Sequence, residues 1–141
     1  MTNVSDEELV EVAKVACNHA YAPYSNFRVG AALPLENGTI VSGCNVENAS
    51  YGLTICAERS AIFAAVAAGA KIIRRIAVAV ETPGDHLSTL MPCGACLQVM
   101  KEFMPLDGRI LLAGNGEFAL KELLPHAFSL PARDRRKFPG T

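Results

Sequence analysis

The sulfur-bearing residues fall into two groups whose spacing suits chemistry. Cys93-Gly94-Ala95-Cys96 sets two thiols three residues apart, and Cys56-Ala57-Glu58 sets a third thiol two residues before a carboxylate. Residues three apart on a helix share a face, so Cys93 and Cys96 can present both sulfurs to one point. Both groups open segments that read as helices, and the positive end of a helix favours thiolate over thiol. Three thiolates leave one tetrahedral position of Zn²⁺ open, the pattern of a catalytic rather than a structural zinc. Zinc in such a site supplies water activated near neutral pH. Glu58, two residues from a ligand, suits a proton carrier that does not bind the metal. A glutamate in the first turn also complements the helix dipole, whatever else it does.

Other chemistry fits part of this pattern. A C-x-x-C by itself is compatible with zinc ligation, a redox dithiol or plain core packing. A thioredoxin-like dithiol would cycle with a disulfide, but it leaves Cys56-Ala57-Glu58 without a role. A closed, structural four-cysteine site would recruit Cys44 and have no open position. Cys17 lies on an apolar stripe and reads as core. His86, on a loop, is an alternative ligand, whereas His19 and His126 have no partner motif.

The chain that must position these groups has 141 residues, a formal net charge of −1 and 50% hydrophobic residues. That length fits one domain, read here as 1–131 with a basic tail at 132–141. The apolar content supports a packed core and excludes intrinsic disorder. No apolar run reaches the length of a membrane span, and the acidic, amphipathic start is unlike a secretory signal. A charge near zero lacks the basic face that a nucleic-acid footprint needs. Five cysteines, an odd number, do not read as a disulfide framework, so a reducing, cytoplasmic setting is expected.

Ser5-Asp6-Glu7-Glu8 reads as a capping box. Leu9, Val12, Ala13, Ala16, Cys17 and Ala20 follow as one helical stripe, which Tyr21 to Ser25 ends. Phe27 to Leu35 and Thr39 to Cys44 read as a hairpin turned tightly at Asn37-Gly38. Asn45 to Thr54 reads as a loop. Ala57 to Ala68 reads as a helix ended by Gly69, and Arg75 to Val80 as a buried strand. A loop over Glu81 to Met91 leads to a helix from Cys93 to Met104. Arg109 to Ala113 and Glu117 to Leu120 complete the strands, and Lys121 to Leu124 starts a short helix. The expected fold class is three-layer α/β/α around a five-stranded mixed sheet.

Together the segments are more specific than either cysteine motif. Tyr21-Ala22-Pro23-Tyr24-Ser25, Phe27-Arg28-Val29-Gly30-Ala31-Ala32, Gly43-Cys44-Asn45-Val46-Glu47-Asn48-Ala49-Ser50-Tyr51, Ile55-Cys56-Ala57-Glu58-Arg59, Pro92-Cys93-Gly94-Ala95-Cys96 and Glu122-Leu123-Leu124-Pro125-His126-Ala127-Phe128 resemble the small homotetrameric cytidine deaminases. The similarity runs from about Tyr21 to Leu130. It implies a hydrolase of pyrimidine salvage that binds one Zn²⁺ per chain through Cys56, Cys93 and Cys96, with Glu58 moving protons. Arg59 resembles the arginine that hydrogen-bonds the ligand thiolates. Asn45 and Glu47 resemble the pair that holds the ribose 3′-hydroxyl, Phe27 the residue against the pyrimidine, and the backbone of Ala57 a contact to the base. The resemblance further implies a homo-oligomer, a tetramer, in which Phe128 and Tyr51 enter the sites of neighbouring subunits.

One position departs from the family pattern. Leu97 follows Cys96 where an arginine is usual, and the 81–91 loop reads as long. The expected reaction is hydrolysis of cytidine and 2′-deoxycytidine to the uridines. The alternative is the same chemistry on N4-substituted or otherwise modified cytosine nucleosides. Neither reading involves nucleic acid or a membrane.

Overall fold

The computed structural model describes residues 3–81 and 90–131. Helix α1 (Asp6–Ala16) begins as its sequence dictates: the Ser5 hydroxyl accepts from the Glu8 N–H at 3.1 Å, and the Glu8 carboxylate accepts from the Ser5 N–H at 2.7 Å. The remaining elements are β1 (Val29–Pro34), β2 (Ile40–Cys44), α2 (Ala57–Ala67), β3 (Arg75–Val80), α3 (Gly94–Phe103), β4 (Arg109–Leu112), β5 (Gly116–Ala119) and α4 (Leu120–Leu123). The strands form one sheet in the order β2-β1-β3-β4-β5. β3 and β4 are parallel and the other neighbours antiparallel. The crossover between the parallel pair runs through α3, as parallel pairing requires.

Side chains alternate across the sheet and build two cores. Ala32, Ala77, Ala79 and Leu111 face α1 and pack on Leu9, Ala13 and Cys17. Ala31, Leu33, Ile76, Val78, Ile110 and Leu112 face the other way, onto Ala61, Ile62 and Ala65 of α2, Leu97 and Met100 of α3, and Leu120 of α4. The three-layer α/β/α arrangement follows. Cys17 is buried as expected, its thiol directed at the carbonyls of Ala13 and Ala79. Small residues allow close contact between layers. A Cβ on Gly43 of β2 would lie 2.4 Å from the Ala61 nitrogen, so α2 rests directly on that strand.

Two connections differ from the sequence reading. In the β1–β2 hairpin the Leu35 carbonyl accepts from the Gly38 N–H at 3.0 Å, and Gly38 alone of the Asn37-Gly38 pair is left-handed. The turn is therefore centred on Glu36-Asn37, with glycine supplying the left-handed residue after it. The 45–54 segment is not a free loop. Val46 exchanges hydrogen bonds with Ile55 at 2.9 and 3.0 Å, while Tyr21 donates to Asn45 and accepts from Glu47. Three segments are thereby fastened together beyond the end of β2, next to Cys56. Among the described residues no helix is long and apolar enough to cross a membrane. His86, most of the 81–91 loop and the basic tail 132–141 lie outside the described residues.

Candidate active site

Two helix starts bring the three thiols together. Cys56 is the N-cap of α2 and Cys93 the N-cap of α3, both with extended backbone, and neither side chain caps its helix. An N-cap side chain usually turns back onto the first amides; here the sulfurs face each other. Cys56 Sγ lies 3.9 Å from Cys93 Sγ, and Cys93 Sγ lies 3.5 Å from Cys96 Sγ. All three fall within 4.8 Å of one another, and among the described residues no other His, Cys, Asp or Glu trio does. Tetrahedral zinc with bonds of about 2.3 Å sets its sulfurs ~3.8 Å apart, so the donor set fits that ion. Cys44 is not part of the trio.

The charges suit such a site. The Cys96 thiol donates to Cys56, and with the Arg59 guanidinium this pulls the Cys56 thiol down to about 5 against the opposing effect of burial. The same bond, burial and the nearby Glu58 carboxylate push Cys96 well above the ordinary thiol range. The shared bond thus drives the two thiols apart in acidity, and ligation of a divalent ion would require both as thiolates. Arg59 donates to Cys56 Sγ at 3.4 Å and is itself held protonated by the thiolates.

Glu58, in the first turn of α2, is 5% exposed. Burial, reinforced by the Cys56 charge, raises its carboxyl to about 7, although its own N–H pulls the other way. A carboxyl poised there exchanges protons readily at neutral pH. It lines a cavity of about 210 Å³ together with Cys56, Ala57, Cys93, Phe27, Asn45 and Glu47. Val29, Val78, Val80, Leu90 and Met91 add an apolar lining. Val80 ends β3 opposite Val29, which begins β1, so the cavity opens at this end of the sheet.

Asn45 is buried and stitches the strand start. Its Oδ1 accepts from the Val29 N–H at 2.8 Å, and its Nδ2 donates to the Phe27 carbonyl at 2.6 Å. One N–H and one lone pair of the amide remain for a ligand. The Glu47 Oε1 accepts from the N–H groups of Tyr24 (2.9 Å) and Ser25 (3.2 Å), and its Oε2 accepts from the Ser25 hydroxyl. These bonds, the hydroxyl first, hold its pKa below the ordinary range. Tyr51 is 77% exposed and packs edge-on against Tyr24, with ring centroids 6.1 Å apart. The two tyrosines flank an adjoining hollow of about 340 Å³ that shares Glu47 and Thr54 with the cavity. Phe128 is 68% exposed and absent from the cavity lining; Gln98 Nε2 donates to its carbonyl at 3.0 Å.

The sequence reading therefore brings Cys56, Ala57, Glu58, Cys93, Phe27, Asn45 and Glu47 to one cavity, with Cys96 and Arg59 behind it. Tyr51 and Phe128 stand outside. Sequence reasoning passed over Ser25 and Gln98, which look like a turn serine and a surface glutamine until their partners are seen. Leu97 is buried in the core with Met100, so the departure at this position is a packing feature.

Comparison with known proteins agrees with this geometry. The family model described as the cytidine and deoxycytidylate deaminase zinc-binding region matches residues 3–112. A curated cytidine deaminase of Halalkalibacterium halodurans is 47% identical over 126 residues, covering 86% of this chain and 92% of that protein. One from Mycobacterium tuberculosis is 43% identical over 128 residues, covering 88% and 91%. The crystal structure of cytidine deaminase from Burkholderia pseudomallei superimposes with a TM-score of 0.78 at 46% identity, covering 89% of this chain and all of that one. Matched by the family model over most of its length and nearly half identical to proteins that share its fold, the chain belongs to the cytidine and deoxycytidylate deaminase family.

Proposed function

We propose that the protein hydrolyses cytidine and 2′-deoxycytidine to uridine and 2′-deoxyuridine, releasing ammonia. The observation that carries this reading is Glu58, buried next to three convergent thiols at a small cavity. Cys56, Cys93 and Cys96 would hold one Zn²⁺, which would supply water activated near neutral pH. Glu58 accepts the proton of that water and delivers it to N3 of the base, which makes C4 electrophilic. Hydroxide adds to C4, and Glu58 carries the proton of the new C4 hydroxyl to the amino nitrogen, so that the C4–N bond breaks, ammonia leaves and C4 becomes a carbonyl. One carboxyl serves all three atoms only if it stays within hydrogen-bond reach of each. The apolar walls and Phe27 suit a pyrimidine ring, with the Ala57 backbone against its edge. Asn45 and Glu47 present the remaining amide N–H and the carboxylate to the sugar 3′-hydroxyl, so a nucleoside rather than a free base is the substrate.

Tyr51 and Phe128 complete the sites of neighbouring subunits, in a tetramer. The surface of α2 favours such an assembly. Phe63, Ala64, Val66 and Ala67 are exposed, and no charged residue occurs from Ser60 to Ala70. A helix apolar on all sides is normally covered. The five cysteines are unpaired, in keeping with the cytoplasm as the site of action.

An ultraviolet assay on cytidine, run before and after chelation and after zinc return, tests the proposal. Activity should vanish and come back with the metal. Glu58→Ala should retain zinc and lose roughly 10²–10⁴-fold in turnover. Undiminished turnover in Glu58→Ala would refute the mechanism.

A further inference from the structure

Ser25 belongs to none of the roles described so far, yet its hydroxyl joins two elements of the site. Its Oγ accepts from the Phe27 N–H at 3.0 Å and donates to Glu47 Oε2. A hydroxyl has one hydrogen and two lone pairs. Because the Phe27 amide takes a lone pair, the hydrogen is free to turn toward the carboxylate, which is acceptor-only when ionised. Glu47 Oε1 is held separately by the amides of Tyr24 and Ser25. Ser25 is thus the side chain that fixes Oε2, the second oxygen of the carboxylate. Asn26, between Ser25 and Phe27, has φ 58°, a left-handed conformation uncommon for a residue with a side chain. That conformation bends the chain so that the Ser25 hydroxyl meets the amide two residues on.

We propose that Ser25 is a positioning residue for sugar recognition: its hydroxyl, oriented by the Phe27 amide, holds the Glu47 carboxylate where the substrate's 3′-hydroxyl is received. The inference rests on the assignment of Glu47 to that hydroxyl. It concerns the sugar end of the cavity and leaves the thiols and Glu58 untouched. Freed of the Ser25 hydroxyl, Glu47 would be tied through Oε1 alone, and its carboxylate would turn about the broad terminal torsion of a glutamate, so that Oε2 loses its fixed place. Substrate would still reach the cavity, and proton transfer would proceed once it bound.

The test compares cytidine with 3′-deoxycytidine, which lacks the hydroxyl, on the zinc-loaded full-length chain. Ser25→Ala should raise KM for cytidine about tenfold, a change equivalent to about 1.4 kcal/mol, with kcat and zinc content unchanged. It should leave 3′-deoxycytidine kinetics as they are. Ser25→Thr, which keeps the hydroxyl, should restore the KM for cytidine. If Ser25→Ala does not yield folded protein, Ser25→Cys provides the same comparison with a weaker, longer donor. Glu47→Ala is the reference. If it discriminates between the two substrates while the Ser25 variants do not, the inference is overturned and the role of Glu47 stands. If Glu47→Ala treats both substrates alike, the assignment of Glu47 fails and the inference fails with it. Equal losses on both substrates in Ser25→Ala would mark a merely structural serine.

Discussion

Gly43→Ala is a single-methyl change that should disable the site without touching a site residue. The added Cβ would lie 2.4 Å from the Ala61 nitrogen and 2.9 Å from both the Ala57 carbonyl oxygen and the Ala61 Cα. Every one of these atoms is α2 backbone, so no side chain can turn aside. Ordinary contact begins near 3.4 Å, so the helix must retreat by about 1 Å. Ala57 is flanked by Cys56 and Glu58, and both would move with it. Metal–ligand distances tolerate only about 0.2 Å, and an ångström of misplacement at a reacting centre costs on the order of 10²-fold in rate. Overpacking of this kind also destabilises by about 1–3 kcal/mol, which lowers the melting temperature by roughly 3–12 °C. The assay is a thermal melt with zinc stoichiometry and cytidine turnover on the same sample. Gly52→Ala is the control, since a Cβ there meets nothing within 4 Å. A Gly43→Ala protein that melts with the parent and keeps full zinc and full turnover would refute the close-contact argument.

Removal of the guanidinium in Arg59→Ala should weaken zinc binding roughly 10–100-fold, measured by competition with a chromophoric chelator; equal affinity would mean that the Cys56 contact carries no weight. Cys44→Ser should keep its zinc, and loss of the metal would revive a four-cysteine centre. Asp6, which accepts from Arg109 and Arg75, has its carboxyl held below the usual range, by Arg109 first. A depressed folded value means that the ion pair stabilises above about pH 3.9 and that this stability fades as pH falls through the folded value. Melting temperatures between pH 5 and 3 should therefore drop further for the parent than for Asp6→Asn. The difference should be small, because the Asp6 side chain is 35% exposed. Parallel curves would dismiss the clamp.

Local rules carried most of the fold. The Ser5–Glu8 cap, the 75–80 strand and both ligand-bearing helices follow from patterns that depend on near neighbours, and each lies within a residue or two of its expected bounds. Cys93 shows the limit of such rules: it reads as the first helical residue, and the structure makes it the N-cap. What escaped was long-range. No periodicity could show that Val46 would bridge Tyr21 on one side and Ile55 on the other. The Ser25–Glu47 link spans 22 positions, and a serine following Pro23-Tyr24 looks like ordinary turn chemistry. Asn45 reads, by resemblance, as a contact to the sugar hydroxyl; that half of its amide serves Val29 and Phe27 depends on the turn of chain between them. Leu97 looked like a missing charge because sequence does not reveal which face of α3 is buried.

The thiols that meet at the head of α2 and α3 come from points 37 residues apart in the chain. An ion shared by them acts as a rivet between two helices of one layer as well as a reagent. Whatever binds only the folded form raises its stability in proportion to the logarithm of its free concentration, by about 4 kcal/mol at a thousandfold excess over Kd. Starving such a protein of metal therefore does more than silence it. The idle pool would also loosen where those helices begin, and its abundance would come to track how much of the ion the cell can spare.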